Sequence, residues 1–360
     1  MSGYRIFISY SHADEPLVLK IEAILRANGF TPMRDRQFAY GSGFHEQIKL
    51  FISHAHVFLP ILTKTSSERG WVHQEIGYAM ALNIPMLPIA VGRFPGEMLQ
   101  TLHALSLTEE EAAGDLKHIT EDLSQTRVAN LVNRFADAAM ATHIVAEFAL
   151  DRSQMLTEYA DLVLKLQVHG FLRQRGVLGN FATPTEVITN PIWRERYGNG
   201  SFEKQLFNNR LNRAERVALE QHARNAGCRL IINPFFEFAR YGRSARICRL
   251  NTLRTFLVSM TDDKLEIAFC DPKLDVNSIT IVGDWFIAEA VSGSLGEGYR
   301  QTNFSRHAPS MQAKIDTFDH EFHERLECWG WTAHESRSKA LAEIDKILAK
   351  LREEERQTTG

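Results

Sequence analysis

The chain has 360 residues, 44% of them hydrophobic and 24% charged, with a net charge of −3. Such a composition belongs to a folded chain long enough for two domains, and it excludes disordered, collagenous and disulfide-dense classes. No apolar run approaches the roughly 20 residues of a membrane-spanning helix. The strand pattern that begins at Tyr4 leaves no room for a signal peptide, and four scattered cysteines (Cys228, Cys248, Cys270, Cys328) without metal-ligand spacing suggest a reducing cytoplasm.

Tyr4 to Tyr10 is β-branched and aromatic and predicts a parallel strand buried on both faces. Asp14 is placed to cap a helix with the stripe Leu17, Ile21, Ile24, Leu25, closed by Asn28-Gly29. Phe30 to Met33 is a second strand, ending at Arg34-Asp35-Arg36. A polar loop with Gly41 and Gly43 leads to Phe44 and to a helix bearing Ile48 and Ile52. His56 to Leu62 is a third strand, Thr63 to Arg69 a loop, and Ile84 to Val91 a fourth strand. Between the last two lies Gly70 to Ala79, a helix whose buried stripe is Val72, Ile76 and Ala79. Trp71 and Glu75 are four apart and share one face of it. A glutamate beside an indole suits a cationic ring; the alternative is a surface glutamate next to a half-buried tryptophan. Strands alternating with helices mean a parallel sheet covered on both faces, with working residues at the strand carboxyl ends: 9–12, 34–44 and 62–75.

The ordered set Phe7-Ile-Ser-Tyr-Ser11, Gly29-Phe30, Asp35, the glycine loop ending at Phe44, Ser66-Ser67 and Trp71-Val-His-Gln-Glu75-Ile76 resembles a TIR domain over residues 3–130. The Trp-Val-His-x-Glu-Ile spacing is closest to TIR domains that cleave NAD+. The resemblance implies a flavodoxin-like α/β fold, Glu75 as the catalytic residue, and Tyr10, Ser11, Arg34, Asp35, Phe44 and Trp71 as substrate-binding residues. Asp35, Gly41 and Gly43 would belong to a loop that gates the site and touches neighbouring subunits. It also implies NAD+ as substrate with no cofactor and no metal, homo-oligomers through TIR domains, and a prokaryotic immune or cell-suicide role. Ser11 and His12 depart from the arginines that the animal enzyme carries after its first-strand tyrosine. No Gly-x-Gly-x-x-Gly follows the first strand, so NAD+ would be consumed and not used as a redox carrier.

Residues 131–180 read as a helical connector, with long helices over 131–149 and 155–172, and 176–200 as loops. Residues 181–360 read as a C-terminal mixed α/β sensing or assembly domain. Its helices cover 211–225, 252–260, 308–326 and 335–356. Its strands cover 228–233, 264–270 and 278–282, the last extended by 285–291. The order loosely resembles phospholipase-D-like folds but lacks their His-x-Lys-x-x-x-x-Asp signature. His320-Glu-Phe-His-Glu324 spaces its histidines by three, which is not the zincin helix motif.

Net charge runs −4 over residues 1–150, +8 over 151–260 and −7 over 261–360. The arginines of the basic third, including Arg240, Arg243 and Arg246, interleave with Phe235, Phe236, Phe238 and Tyr241. They suit a nucleotide or nucleic-acid phosphate with a stacked base acting as trigger, or a basic face set against the acidic final third.

Overall fold

A computed structural model describes residues 3–34, 44–67, 70–82, 84–92, 104–107, 128–140, 144–146, 154–158, 171–177, 214, 216–235, 242–270, 278–292 and 299–359. The chain divides into two compact units. One comprises Met1–Thr142, Leu166–Val168 and His307–Gln312; the other comprises His143–Lys165, His169–Arg306 and Ala313–Gly360.

The first unit is a parallel sheet of five strands among the described residues: β1 (Arg5–Ser9), β2 (Thr31–Met33), β3 (Val57–Leu62), β4 (Ile89–Val91) and β5 (Leu105–Leu107). Their spatial order is 2-1-3-4-5. Period-two alternation divides each strand between two cores. Ile6, Ile8 and Tyr10 join Val57, Leu59, Ile61 and Ile89 on the face covered by α1 (Glu15–Ala27) and a later helix, Val128–Met140. Phe7, Phe58, Leu62 and Ala90 take the other face, under α2 (Phe44–His54) and α4 (Gly70–Ala81). α3 (Lys64–Ser67) is a short helix where a loop was expected. Thr63 caps it: its Oγ1 accepts the Ser66 N–H at 3.0 Å while the Thr63 N–H donates to Ser66 Oγ at 2.7 Å. Only three residues of the expected fourth strand pair in a ladder, because Pro85 and Pro88 lack N–H donors; Met86 makes an isolated bridge to Phe58. Gly29, at φ 82°, closes α1.

The second unit holds seven strands among the described residues, in the order 6-12-11-10-7-8-9. β6 (Ile144–Ala146) and β7 (Leu172–Val177) are strands of this sheet, where the sequence pattern suggested helix to 149 and to 172. Helix is described only for 154–158 in the second of these stretches. β7, β8 (Cys228–Asn233) and β9 (Leu265–Phe269) run parallel; β10 (Ile279–Val282), β11 (Phe286–Ser292), β12 (Tyr299–Ser305) and β6 continue antiparallel. β11 does not extend β10 but folds back on it through Gly283, at φ 57°. With the Val128–Met140 helix numbered α5, the remaining named helices are α6 (Gly242–Ser259), α7 (Ala308–Trp329) and α8 (Ser336–Thr359). Residues 216–226 are also helical. No described helix is long and apolar enough to cross a membrane.

Candidate active site

In a 2-1-3-4-5 sheet the chain leaves β1 and β3 in opposite directions, which opens a crevice at their carboxyl ends. Ser9 ends β1 two residues beyond Phe7 and so faces α4. Glu75 stands on the buried stripe of α4 with Val72, Ile76 and Ala79. The two meet there: Ser9 Oγ donates to Glu75 Oε2 at 2.5 Å, with Ser9 1% and Glu75 5% exposed. A buried carboxylate is tolerable when hydrogen bonds replace its water, and a charge-assisted bond from a hydroxyl is among the stronger ones.

One turn before Glu75, the half-buried Trp71 packs on the same core. His12, in the turn after β1, stacks on its indole with centroids 6.0 Å apart and planes at 29°. Asp14 ties this turn to the β3 end. The sequence pattern cast it as a helix cap, but its side chain makes no cap bond and Oδ2 instead accepts Thr63 Oγ1–H at 2.9 Å. Burial pushes the Asp14 carboxyl above its ordinary range, against the opposing hydrogen bonds from Thr63 and Ser11.

Not every expected residue joins Glu75. Tyr10 is buried on the opposite face, among the α1 side chains. Its ring meets His12 edge-on at 5.9 Å, and its hydroxyl lies 3.4 Å from Arg34 Nη1. Arg34 is held by Glu15 at 3.1 Å and Glu22 at 2.7 Å, so a pyrophosphate would compete with two carboxylates for it. Ser11 is buried; its carbonyl accepts the Asp14 N–H at 2.7 Å. Phe44 opens α2, though its side chain, like the whole of Asp35, Gly41 and Gly43, lies outside the described residues. Ser9 and His12 lie in the 9–12 strand end that the sequence placed at the crevice, but their partners Glu75 and Trp71 and the Asp14–Thr63 bond were not foreseen. The signal for Ser9 was available, since its spacing from Phe7 puts it on the α4 face.

A cavity of about 480 Å³ in the same unit is lined by Asn28, Phe30, Asn130, Asn133, Asp137 and His307. Asn28 and Phe30 precede β2, and Asp137 accepts a bond from Tyr4, which precedes β1. This cavity thus lies at the amino ends of the strands, away from Glu75.

The arginines of the basic third are largely engaged within the second unit. Arg243 faces Glu354 at 3.5 Å and Arg254 faces Asp345 at 2.6 Å. Arg229 pairs with Glu266 and Asp319, both at 2.7 Å, over the ring of Phe322. Arg246 Nε donates to Pro234 O at 3.2 Å. Arg240 lies outside the described residues. The arrangement is that of a basic face neutralised by the acidic final third. The described residues hold no cluster of metal-ligating side chains.

A family model described as TIR domain matches residues 6–120. No curated protein matches the chain. Of solved structures, the archaeal chromatin protein TrmBL2, which shows a novel mode of DNA binding, is 8% identical at a TM-score of 0.29, covering 58% of this chain and 64% of that one. The apo cobalamin-dependent S-adenosylmethionine radical enzyme OxsB is 8% identical at 0.22, covering 74% and 49%. This chain spans less than two thirds of either structure, and scores so low carry no argument. Residues 6–120 are a TIR domain, joined to a further C-terminal region.

Proposed function

We propose that this protein is an NAD+ nucleosidase that breaks the nicotinamide–ribose bond, with Glu75 as its catalytic residue. The observation that carries the reading is the Glu75 carboxylate, buried at the carboxyl end of β1, bonded to Ser9 and one turn from the Trp71–His12 pair. An indole face attracts a pyridinium cation. As the bond from the anomeric carbon to nitrogen breaks, its electron pair neutralises the departing nicotinamide and positive charge passes to the ribose. A fixed carboxylate stabilises that oxocarbenium-like charge. Water then adds to the anomeric carbon and releases a proton, giving ADP-ribose; capture by a group within the molecule would give a cyclic product. TIR domains commonly self-associate, and in this reading assembly of TIR units completes the site. The C-terminal region receives the trigger, in a prokaryotic defence or cell-suicide response.

The same hydrogen bond favours a second reading, a non-catalytic scaffold, because Ser9–Glu75 also pins α4 onto β1. One experiment separates them. Assembled wild-type chain and Glu75→Ala are incubated with NAD+ and nicotinamide is followed. Release by the wild type alone is the expected result; a folded, assembled wild type that releases none overturns the enzyme reading.

A further inference from the structure

The cavity of about 480 Å³ at the amino ends of the strands lies within the first unit, to which His307–Gln312 belong. The chemistry proposed at Glu75 makes no use of it. Its volume is that of a small-molecule site. One wall is α5: Val132, Ala136 and Met140 bury one face of that helix, and Asn130, Asn133 and Asp137, at i, i+3 and i+7, share another. Asn28, at the end of α1, adds a third carboxamide. Phe30 and Ala129 are its buried apolar part, and Asn28 and Asn130 its exposed part.

The direction of the hydrogen bonds decides what fits. Asn28 Nδ2 donates to Ile24 O at 2.9 Å, and Asn133 Nδ2 donates to Asp137 Oδ2 at 3.2 Å. Both partners can only accept, which orients the two amides; their Oδ1 atoms meet no donor among the described residues. The Tyr4 hydroxyl and His307 Nε2–H donate to Asp137 Oδ1 at 2.8 and 3.2 Å. His307 Nδ1 accepts the Ser310 N–H at 3.4 Å and lies 2.7 Å from Ser310 Oγ, an arrangement that requires a neutral imidazole. The first N–H groups of α7 are engaged as well, Ala308 on the Tyr4 hydroxyl and Met311 on His307 O. The donors of the wall therefore bond within it. Left for a ligand are carboxamide oxygens, a lone pair of Asp137 Oδ2 and the negative end of α1. No lysine or arginine lines the cavity among the described residues.

We propose that this cavity binds an aliphatic amine, a diamine or polyamine. An ammonium group only donates, and it brings three N–H groups to a site rich in acceptors. Its methylene stem lies along Phe30, Ala129 and Pro309. A phosphate meets acceptors and a carboxylate. A neutral polyol brings acceptors of its own and leaves the Asp137 charge unmatched. A divalent metal meets one carboxylate that already takes three hydrogen bonds, and the described residues hold no cluster of metal-ligating side chains.

The test is calorimetric titration of the full chain with 1,4-diaminobutane and with spermidine. Controls are 1,4-butanediol, which matches the diamine in length without its charge, then Mg2+, K+ and oligolysine. At least one amine should saturate with Kd below about 1 mM, and the diol should bind at least about tenfold more weakly. Asn130 is exposed and bonds nothing through its side chain among the described residues, so its variants should fold. Asn130→Asp should tighten the amine about two- to fivefold, and Asn130→Lys should abolish saturation. Asp137→Asn should weaken it about tenfold; if that variant unfolds, the Asn130 pair decides. No saturation by either amine up to about 10 mM, equal binding of the diol (a polar crevice only), unchanged binding in both Asn130 variants, or binding of Mg2+, K+ or oligolysine in place of the free amines overturns the proposal. Glu75 is untouched throughout, so the result stands apart from NAD+ cleavage.

Discussion

Glu75→Gln separates chemistry from folding. Glutamine is nearly isosteric and keeps an acceptor for the Ser9 hydroxyl, which now bonds Glu75 Oε2 at 2.5 Å. It removes only the charge. At 5% exposure, an effective dielectric of about 20 applies, and a carboxylate about 4 Å from a developing unit charge contributes about 4 kcal/mol. That corresponds to a fall of about 10³-fold in the rate of nicotinamide release. Stability should change by less than about 1 kcal/mol, because no hydrogen bond is lost. Glu75→Ala also leaves the Ser9 hydroxyl unmade and opens a cavity, so about 2–4 kcal/mol of stability goes with the activity. The assay is single-turnover nicotinamide release on assembled protein, with thermal unfolding in parallel. A folded Glu75→Gln chain that keeps its rate within a factor of about three refutes the electrostatic role.

Ser9→Ala removes a donor to a buried carboxylate and should cost about 1.5–3 kcal/mol; it should lower kcat more than it changes KM, read from NAD+ titrations. Asp14→Asn should stabilise the chain at pH 7. Burial raises the Asp14 carboxyl, so the folded state holds its proton more tightly and this group's contribution falls as pH rises above the ordinary carboxylate range. Unfolding curves should therefore converge below about pH 3, and parallel curves would refute the assignment. Asp319→Asn should behave oppositely. Although burial pushes the Asp319 carboxyl up, the Arg173 and Arg229 guanidiniums hold it below the ordinary range. The loss of about 2 kcal/mol near neutrality should shrink as pH falls through and below that range, measured by denaturant unfolding.

What could be read from sequence was what local pattern encodes. Ile6, Ile8 and Phe7 gave β1, and Val72, Ile76 and Ala79 gave the orientation of α4, while the burial of Glu75 beside that stripe stayed open against a surface placement until the structure fixed it. Residues acting across long separations were not legible. Asp14 has the spacing of a cap, and only folding reveals Thr63, 49 residues on, as its partner. Arg34 follows a strand and invites a phosphate, but Glu15 and Glu22 reach it first. β7 is written Leu-Arg-Gln-Arg-Gly-Val; its arginines break any apolar pattern, and their partners Asp319 and Glu321 lie 146 residues away. Arg243 helped to hide the first half of α6 in the same way, since Glu354 answers it from α8.

The most direct measurement is a structure of the assembled protein with a carbocyclic NAD+ analogue, in which carbon replaces the ribose ring oxygen and the bond cannot break. The account predicts the anomeric carbon within about 4 Å of the Glu75 carboxylate, a near-attack distance, with the pyridinium against Trp71. An analogue bound on the Tyr10–Arg34 side, or with its pyridinium turned away from Glu75, would contradict it.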